Sequence, residues 1–295
     1  MHEATLNWSR GWTWYRVVEG ADESRVPLVL LHGGPGAGAD YIEPISELAE
    51  RSGRTCVLYD QLGCGRSQHL PQAPAEFWTP ALFLEELAAI VEHLGIAGRH
   101  NILGQSWGGM LGMEYAVTHP AGLNALIVAN SPASMRLWVT EANRLRAELP
   151  AEVQATLLAH EQAGTTDDPA YEEAMMPFYE RHVCRVVPFP APFQRTFDVI
   201  AADPTVYHTM NGPSEFHVVG SLTDWDITPH LPRIAAPTLV ISGEFDEATP
   251  AVVEPLVEAI PGARWELMAG ASHCSHLEQP EAFLTLVEDF LTAQD

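Results

Sequence analysis

The sequence predicts an α/β protein with a mostly parallel central sheet, helices on both faces and an inserted helical cap, and three observations carry that prediction. Short apolar runs that end in glycine-rich or polar turns recur along the chain, each followed by a helix-like segment, which is the pattern of parallel strands joined by crossover helices. The rhythm stops near Met135 and resumes near His230. With 295 residues, 46% hydrophobic and 18% charged, the chain is long and apolar enough for one large core that carries an insertion.

Taken in order, Gly11–Val18 alternates polar and bulky residues and reads as an antiparallel edge strand of a starting hairpin. Val26–Leu31 and Thr55–Tyr59 are apolar runs of buried-strand length, and Phe83–Leu94 has apolar residues at helical spacing. Asn101–Leu103 is a strand before Gly104. Gly109–Thr118 is a helix that His119-Pro120 ends, because a residue before proline avoids the helical region. Leu126–Ala129, Thr238–Ile241 and Trp265–Met268 are further strands, and Ala282–Leu291 is a closing helix. Between Leu126–Ala129 and Thr238–Ile241, Thr140–Gly164 and Tyr171–Arg185 look helical, with Asp168-Pro169 as a helix start. The run PFPAPF can be neither a central strand nor a helix interior. This gives a core of residues 1–134 and 231–295 and a helical cap of 135–230, the usual place for substrate selection when the scaffold beneath does the chemistry.

The charge balance excludes several partners. The formal net charge is −24, and all 15 of the basic residues are arginine. Such a surface repels nucleic acid and anionic lipid, and at most draws cationic molecules toward a cleft. No basic start with an apolar stretch behind it opens the chain, and no run of about 18 apolar residues occurs, so a cytoplasmic protein is expected. Cys56, Cys64, Cys184 and Cys274 lack CxxC spacing, which argues for reduced thiols over a zinc site or a disulfide framework.

The chemistry gathers at Gly104-Gln105-Ser106-Trp107-Gly108. Glycine two residues before and two after Ser106 relieves the crowding of a sharp strand-to-helix turn, which would hold the hydroxyl exposed above the sheet. A serine nucleophile needs a base, and the base needs a carboxylate to orient it, in the chain order Ser, acid, His for this arrangement. His273 follows the strand Trp265–Met268 and a glycine turn more closely than His276 does, and is the expected base. Glu244, Asp246 and Glu247, just past Thr238–Ile241, are the acid candidates. For the oxyanion, His32-Gly33-Gly34-Pro35-Gly36 lets backbone N–H groups approach closely, so the amides of Gly34 and Trp107 are the expected donors, with His32 ordering its loop. The run GGPGAG lacks the spacing of a dinucleotide site.

Together HGGPG at 32–36, DQLGCGRS at 60–67, GQSWGGM at 104–110, GEFDEATP at 243–250 and SHCSHLEQP at 272–280 make the chain resemble the proline iminopeptidase family of α/β-hydrolases. The resemblance selects Asp246 as the acid, so that Ser106, Asp246 and His273 form the triad. It also implies recognition of a free substrate amine by carboxylates: Glu215, in NGPSEF, and Glu247, with Tyr207 lining the same pocket. A buried ammonium needs charge-assisted partners, which is the physical sense of such a pair. Leu62 stands where the family usually has arginine. The resemblance implies release of an N-terminal amino acid, proline or another apolar residue, from a small peptide, with an amino acid amidase or an esterase or lactonase on the same triad as the alternative. No metal or organic cofactor is implied.

Overall fold

A computed structural model describes residues 1–295. Eight strands form one sheet in the order β1-β2-β4-β3-β5-β6-β7-β8. β1 (His2–Trp8) and β2 (Gly11–Val18) form an antiparallel hairpin, and β2 pairs antiparallel with β4 (Cys56–Tyr59). From there β3 (Leu28–Leu31), β5 (His100–Gln105), β6 (Leu123–Ala129), β7 (Thr238–Gly243) and β8 (Arg264–Met268) run parallel. The hairpin is as expected, but Gly11–Val18 is not the edge strand. β1 takes that place, and its alternately exposed HEATLNW is too polar to stand out as a strand before its partner is known.

β3, β4, β5 and β7 are buried along their whole length, which is why they read as unbroken apolar runs. The helices of the core are α1 (Leu48–Ser52), α2 (Pro80–His93), α3 (Trp107–Ala116), α9 (Pro250–Ala259), α10 (Ser275–Glu278) and α11 (Pro280–Thr292). β3 connects leftward to β4, whereas β5 connects rightward to β6. Right-handed crossovers in opposite directions place α1 and α3 on opposite faces of the sheet. The adjacent strands β3 and β5 are therefore the point where the winding reverses, and the crevice at their C-terminal ends is where such sheets bind ligands.

Between β6 and β7 lie five helices and no strand of the sheet: α4 (Met135–Arg146), α5 (Ala151–Ala163), α6 (Pro169–Phe178), α7 (Ala191–Ala202) and α8 (Thr205–Met210). The expected helix Thr140–Gly164 is two helices, broken at Leu149-Pro150, where proline lacks the N–H to continue the ladder. Asp168 caps α6 by accepting from the Ala170 N–H at 2.8 Å, and α6 passes into a wider turn over Tyr179–Val183. α7 and α8 have no counterpart in the sequence reading, since PFPAPF hides the start of α7 at Ala191. The entry and exit of this segment lie side by side: the Met135 N–H donates to the Trp225 carbonyl, the Ile227 N–H to the Ala133 carbonyl, and Ser134 bridges Asp226. No helix is long and apolar enough to cross a membrane.

Candidate active site

Ser106 sits between β5 and α3 with φ 57° and ψ −123°, a conformation that L-residues rarely adopt. The two flanking glycines make it possible. A Cβ on Gly104 would lie 2.0 Å from the Gly108 carbonyl oxygen, and one on Gly108 would lie 2.0 Å from that of Leu31. The turn thus folds back onto itself and onto β3, with no room for any side chain at either position. The Ser106 side chain makes no capping hydrogen bond to α3 and faces a cavity.

The glycine turn after β3 packs directly on this serine. A Cβ on Gly33 would meet the Tyr41 hydroxyl at 2.7 Å and the Ser106 Cβ at 3.0 Å. Gly34, at φ 106°, lines the cavity with Ser106, and its N–H donates to no acceptor within the protein. Hydrogen bonds tie this turn to the other loops. The Gly33 N–H donates to the Tyr41 hydroxyl at 2.7 Å, that hydroxyl donates to Gln105 Oε1, and Gln105 Nε2 donates to the His273 carbonyl at 3.1 Å. His32 is held on both nitrogens, Nδ1 to the Gly33 carbonyl at 2.9 Å and Nε2 by the Gln61 N–H at 2.9 Å, which is the loop-ordering place expected of it. Gln61 Oε1 in turn accepts from Trp107 Nε1 at 2.8 Å. In the same DQLGCGRS loop, burial would raise the Asp60 carboxyl, but hydrogen bonds from Arg66 hold it below its ordinary value, and Leu62 is fully buried.

His273 Nδ1 lies 2.9 Å from Asp246 Oδ1. Asp246 is locked by donors around it: Asn130 Nδ2 at 2.6 Å, the Ala248 N–H at 2.9 Å and the Gly243 N–H at 3.3 Å. Asn130 was not singled out from the sequence. It ends β6 at φ 54°, and its Oδ1 accepts from Ser275 Oγ at 3.0 Å. An asparagine just past a parallel strand, where the left-handed region is needed, is the signal that would have found it. His276 is placed elsewhere: its Nε2 donates to the Tyr41 carbonyl at 2.9 Å, and burial pushes its pKa down to about 4. It is therefore a neutral buried ring.

Two carboxyl groups complete the site. Glu215 is half-buried, with its Oε1 accepting from the Tyr207 hydroxyl at 2.7 Å and its carbonyl accepting from Trp138 Nε1 at 2.9 Å. Burial raises its pKa, against the opposing pull of His273 and the Tyr207 hydrogen bond. Glu247 is 0% exposed, and neither carboxyl oxygen has a hydrogen-bond partner. Its Oε1 is 3.8 Å from His273 Nε2, beyond hydrogen-bonding distance. Burial, then the nearby Glu215 and Asp246, push the Glu247 carboxyl well above the usual range. Both effects favour the neutral acid over the carboxylate. The structure thus brings Ser106, Asp246, His273, Gly34, Trp107, Glu215, Glu247 and Tyr207 to one place, whereas Glu244 is exposed and accepts from the Gly270 N–H, and His276 lies apart. Tyr41, Gln61, Gln105 and Trp138 join them through contacts that only the folded chain creates.

Residues 26–280 match the family model described as the alpha/beta hydrolase fold. The proline iminopeptidase of Lactobacillus delbrueckii subsp. lactis is 38% identical over 287 residues, covering 96% of each chain. Among solved structures, the proline iminopeptidase of Mycobacterium smegmatis is 52% identical, with a TM-score of 0.93 over 99% of this chain and 98% of that one. VinJ is 50% identical, with a TM-score of 0.97 over 100% of this chain and 99% of its own. Similar in sequence and backbone along nearly its whole length to enzymes of that name, the chain belongs to the proline iminopeptidase family of α/β-hydrolases.

Proposed function

We propose that the protein is a cytoplasmic serine aminopeptidase that releases a small N-terminal residue, proline or another apolar one, through an acyl-enzyme. Ser106 Oγ attacks the acyl carbon, His273 takes its proton through Nε2 and hands it to the departing amine, and water then frees the acyl group. Asp246, fixed by Asn130 and two backbone N–H groups, holds the imidazole by Nδ1 and stabilises it when charged. The N–H groups of Gly34 and Trp107 receive the oxyanion, and the N–H of Gly34, with no acceptor of its own in the protein, supports that role. Residues 135–230 serve as the cap over the core of 1–134 and 231–295, and they supply Glu215 and Tyr207.

The observation that carries the amine specificity is Glu247. A carboxyl with both oxygens unpartnered, beside the base and close to a second acid, is costly unless it meets a positive charge, and the ammonium of a substrate supplies one. The recess on one side of Ser106, walled by Met110, Met135, Trp138 and Leu222, is narrow, and a narrow apolar recess with flexible methionine walls suits a small apolar first residue better than a bulky one.

Proline, alanine and leucine arylamides and their N-acetyl forms test the reading together. The free-amine proline and alanine compounds are expected to be cleaved, leucine poorly, and acetylation is expected to lower kcat/KM by about a hundredfold or more, the scale of losing a charge-assisted partner. Ser106→Ala abolishes hydrolysis. Equal rates with and without the acetyl group would overturn the amine site, and full activity in Ser106→Ala would overturn the mechanism.

A further inference from the structure

Two spaces meet at Ser106 and they differ in kind. The narrow recess described above touches Gly34, Ser106 and Glu215 but not His273. A second cavity of about 650 Å³ touches the same three residues and also His273 and Cys274. The base must deliver its proton to the departing nitrogen, so the leaving group lies on the side that His273 lines. This argument rests on the triad reading above, and it assigns the large cavity to the part of the substrate beyond the scissile bond. A space of that size takes a drug-sized molecule, far more than one residue.

Its lining states the chemistry of the occupant. The inner wall includes Met175, Met176, Phe189, Phe193, Phe197 and Ile200, with the three phenylalanines packed edge-to-face or stacked at centroid distances of 5.1 to 5.9 Å. No arginine lines the cavity, and the exposed Asp167 and Glu172 also border it. The second residue of a dipeptide would bring a carboxylate into a largely apolar space with no arginine or lysine to meet it, with His208 on the wall biased toward its neutral form by burial and acids alongside, which is unfavourable on both counts. We infer that the preferred leaving group is a bulky, uncharged, apolar amine, so that the substrates are aminoacyl amides of long aliphatic amines rather than free dipeptides.

The experiment compares, on the intact protein, the n-butylamide and n-octylamide of proline or alanine, and prolyl-leucine against prolyl-leucinamide, with prolyl arylamide as the reference reaction. Expected are a rise in kcat/KM of about tenfold or more from butyl to octyl, carried by KM, and a dipeptide acid about tenfold or more below its amide. Met176→Arg, which puts a cation into the cavity, is expected to narrow or reverse the acid-to-amide ratio and to flatten the chain-length series. Should that variant fail to fold, the wild-type ratios still decide. Rates independent of chain length, or a dipeptide acid as good as its amide, overturn the inference while leaving the arylamide reaction intact. Loss of the arylamide reaction itself would instead remove the triad reading beneath it.

Discussion

At the scale of single residues, the site holds groups whose burial costs stability. Glu247 is the clearest. In the folded chain it keeps its proton to a pH well above the ordinary value of 4.5, so over that interval the folded state binds more protons than the unfolded one. Stability contributed at this position therefore falls as pH rises. Glu247→Gln is expected to raise the melting temperature at neutral and mildly alkaline pH while lowering kcat/KM for free-amine substrates, a trade of stability against function. Thermal melts at several pH values, set beside arylamide kinetics, check both halves. Tyr41 makes a different case. Its hydroxyl satisfies the Gly33 N–H and donates to Gln105 Oε1, so Tyr41→Phe orphans two buried groups and is expected to cost about 1–3 kcal/mol in stability. Because the same bonds set the Gly33-Gly34 turn against Ser106, the proposed mechanism predicts that kcat falls by about tenfold with KM little changed. A loss confined to KM would show that Tyr41 binds substrate and positions nothing.

Secondary-structure elements carry the next prediction, through a buried acid that joins α2, β2 and the loop after β4. Glu86, on α2, accepts from Thr13 on β2 and from the Leu62 N–H at 2.8 Å, while its Oε2 has no partner. Burial raises its pKa to about 8. From its ordinary 4.5 up to that value the folded state holds the extra proton, so stability declines across the interval, by about 3 kcal/mol at pH 7 relative to acid conditions. Glu86→Gln should flatten this slope in denaturant titrations between pH 5 and about 8; an unchanged slope would show that Glu86 does not carry it. Legibility of the chain follows the same physics of burial. β3, β4, β5 and β7 stand out because both of their faces are buried, and the Ser106 turn because its glycines are required by contacts at 2.0 Å. β1 does not, since an exposed strand alternates without an apolar run. The break at Leu149-Pro150 was masked by apolar residues on either side of it. The unpartnered carboxyl of Glu247 and the bond from Asn130 to Asp246 are not legible in the sequence, because they depend on which groups the fold brings within reach.

For the whole molecule, the net charge of −24 sets the terms. Self-repulsion of this size opposes the compact state, and much of the arginine present is already engaged in ion pairs, several of them exposed and individually weak. Raising ionic strength from about 0.01 M to about 0.1 M shortens the screening distance from about 30 Å to about 10 Å. The melting temperature should therefore rise with added sodium chloride, and kcat/KM for a cationic substrate should fall over the same range as long-range attraction is screened. A melting temperature that drops with salt would mean that the ion pairs outweigh the repulsion. The insertion is the other molecular feature with reach. It leaves the sheet at residues 133–135 and returns at 225–227, where the two chain segments are bonded to each other. Both junctions thus lie at one spot on the scaffold, beside the recess that Pro132 and Met135 line with Ser106, yet outside the turns that carry Ser106, Asp246 and His273. A different insert spliced at that spot would leave the reacting groups covalently untouched, while exchanging Glu215, Tyr207 and the aromatic wall in a single step. In a lineage built this way, recombination alone can change which molecules are cleaved without altering how the bond is broken.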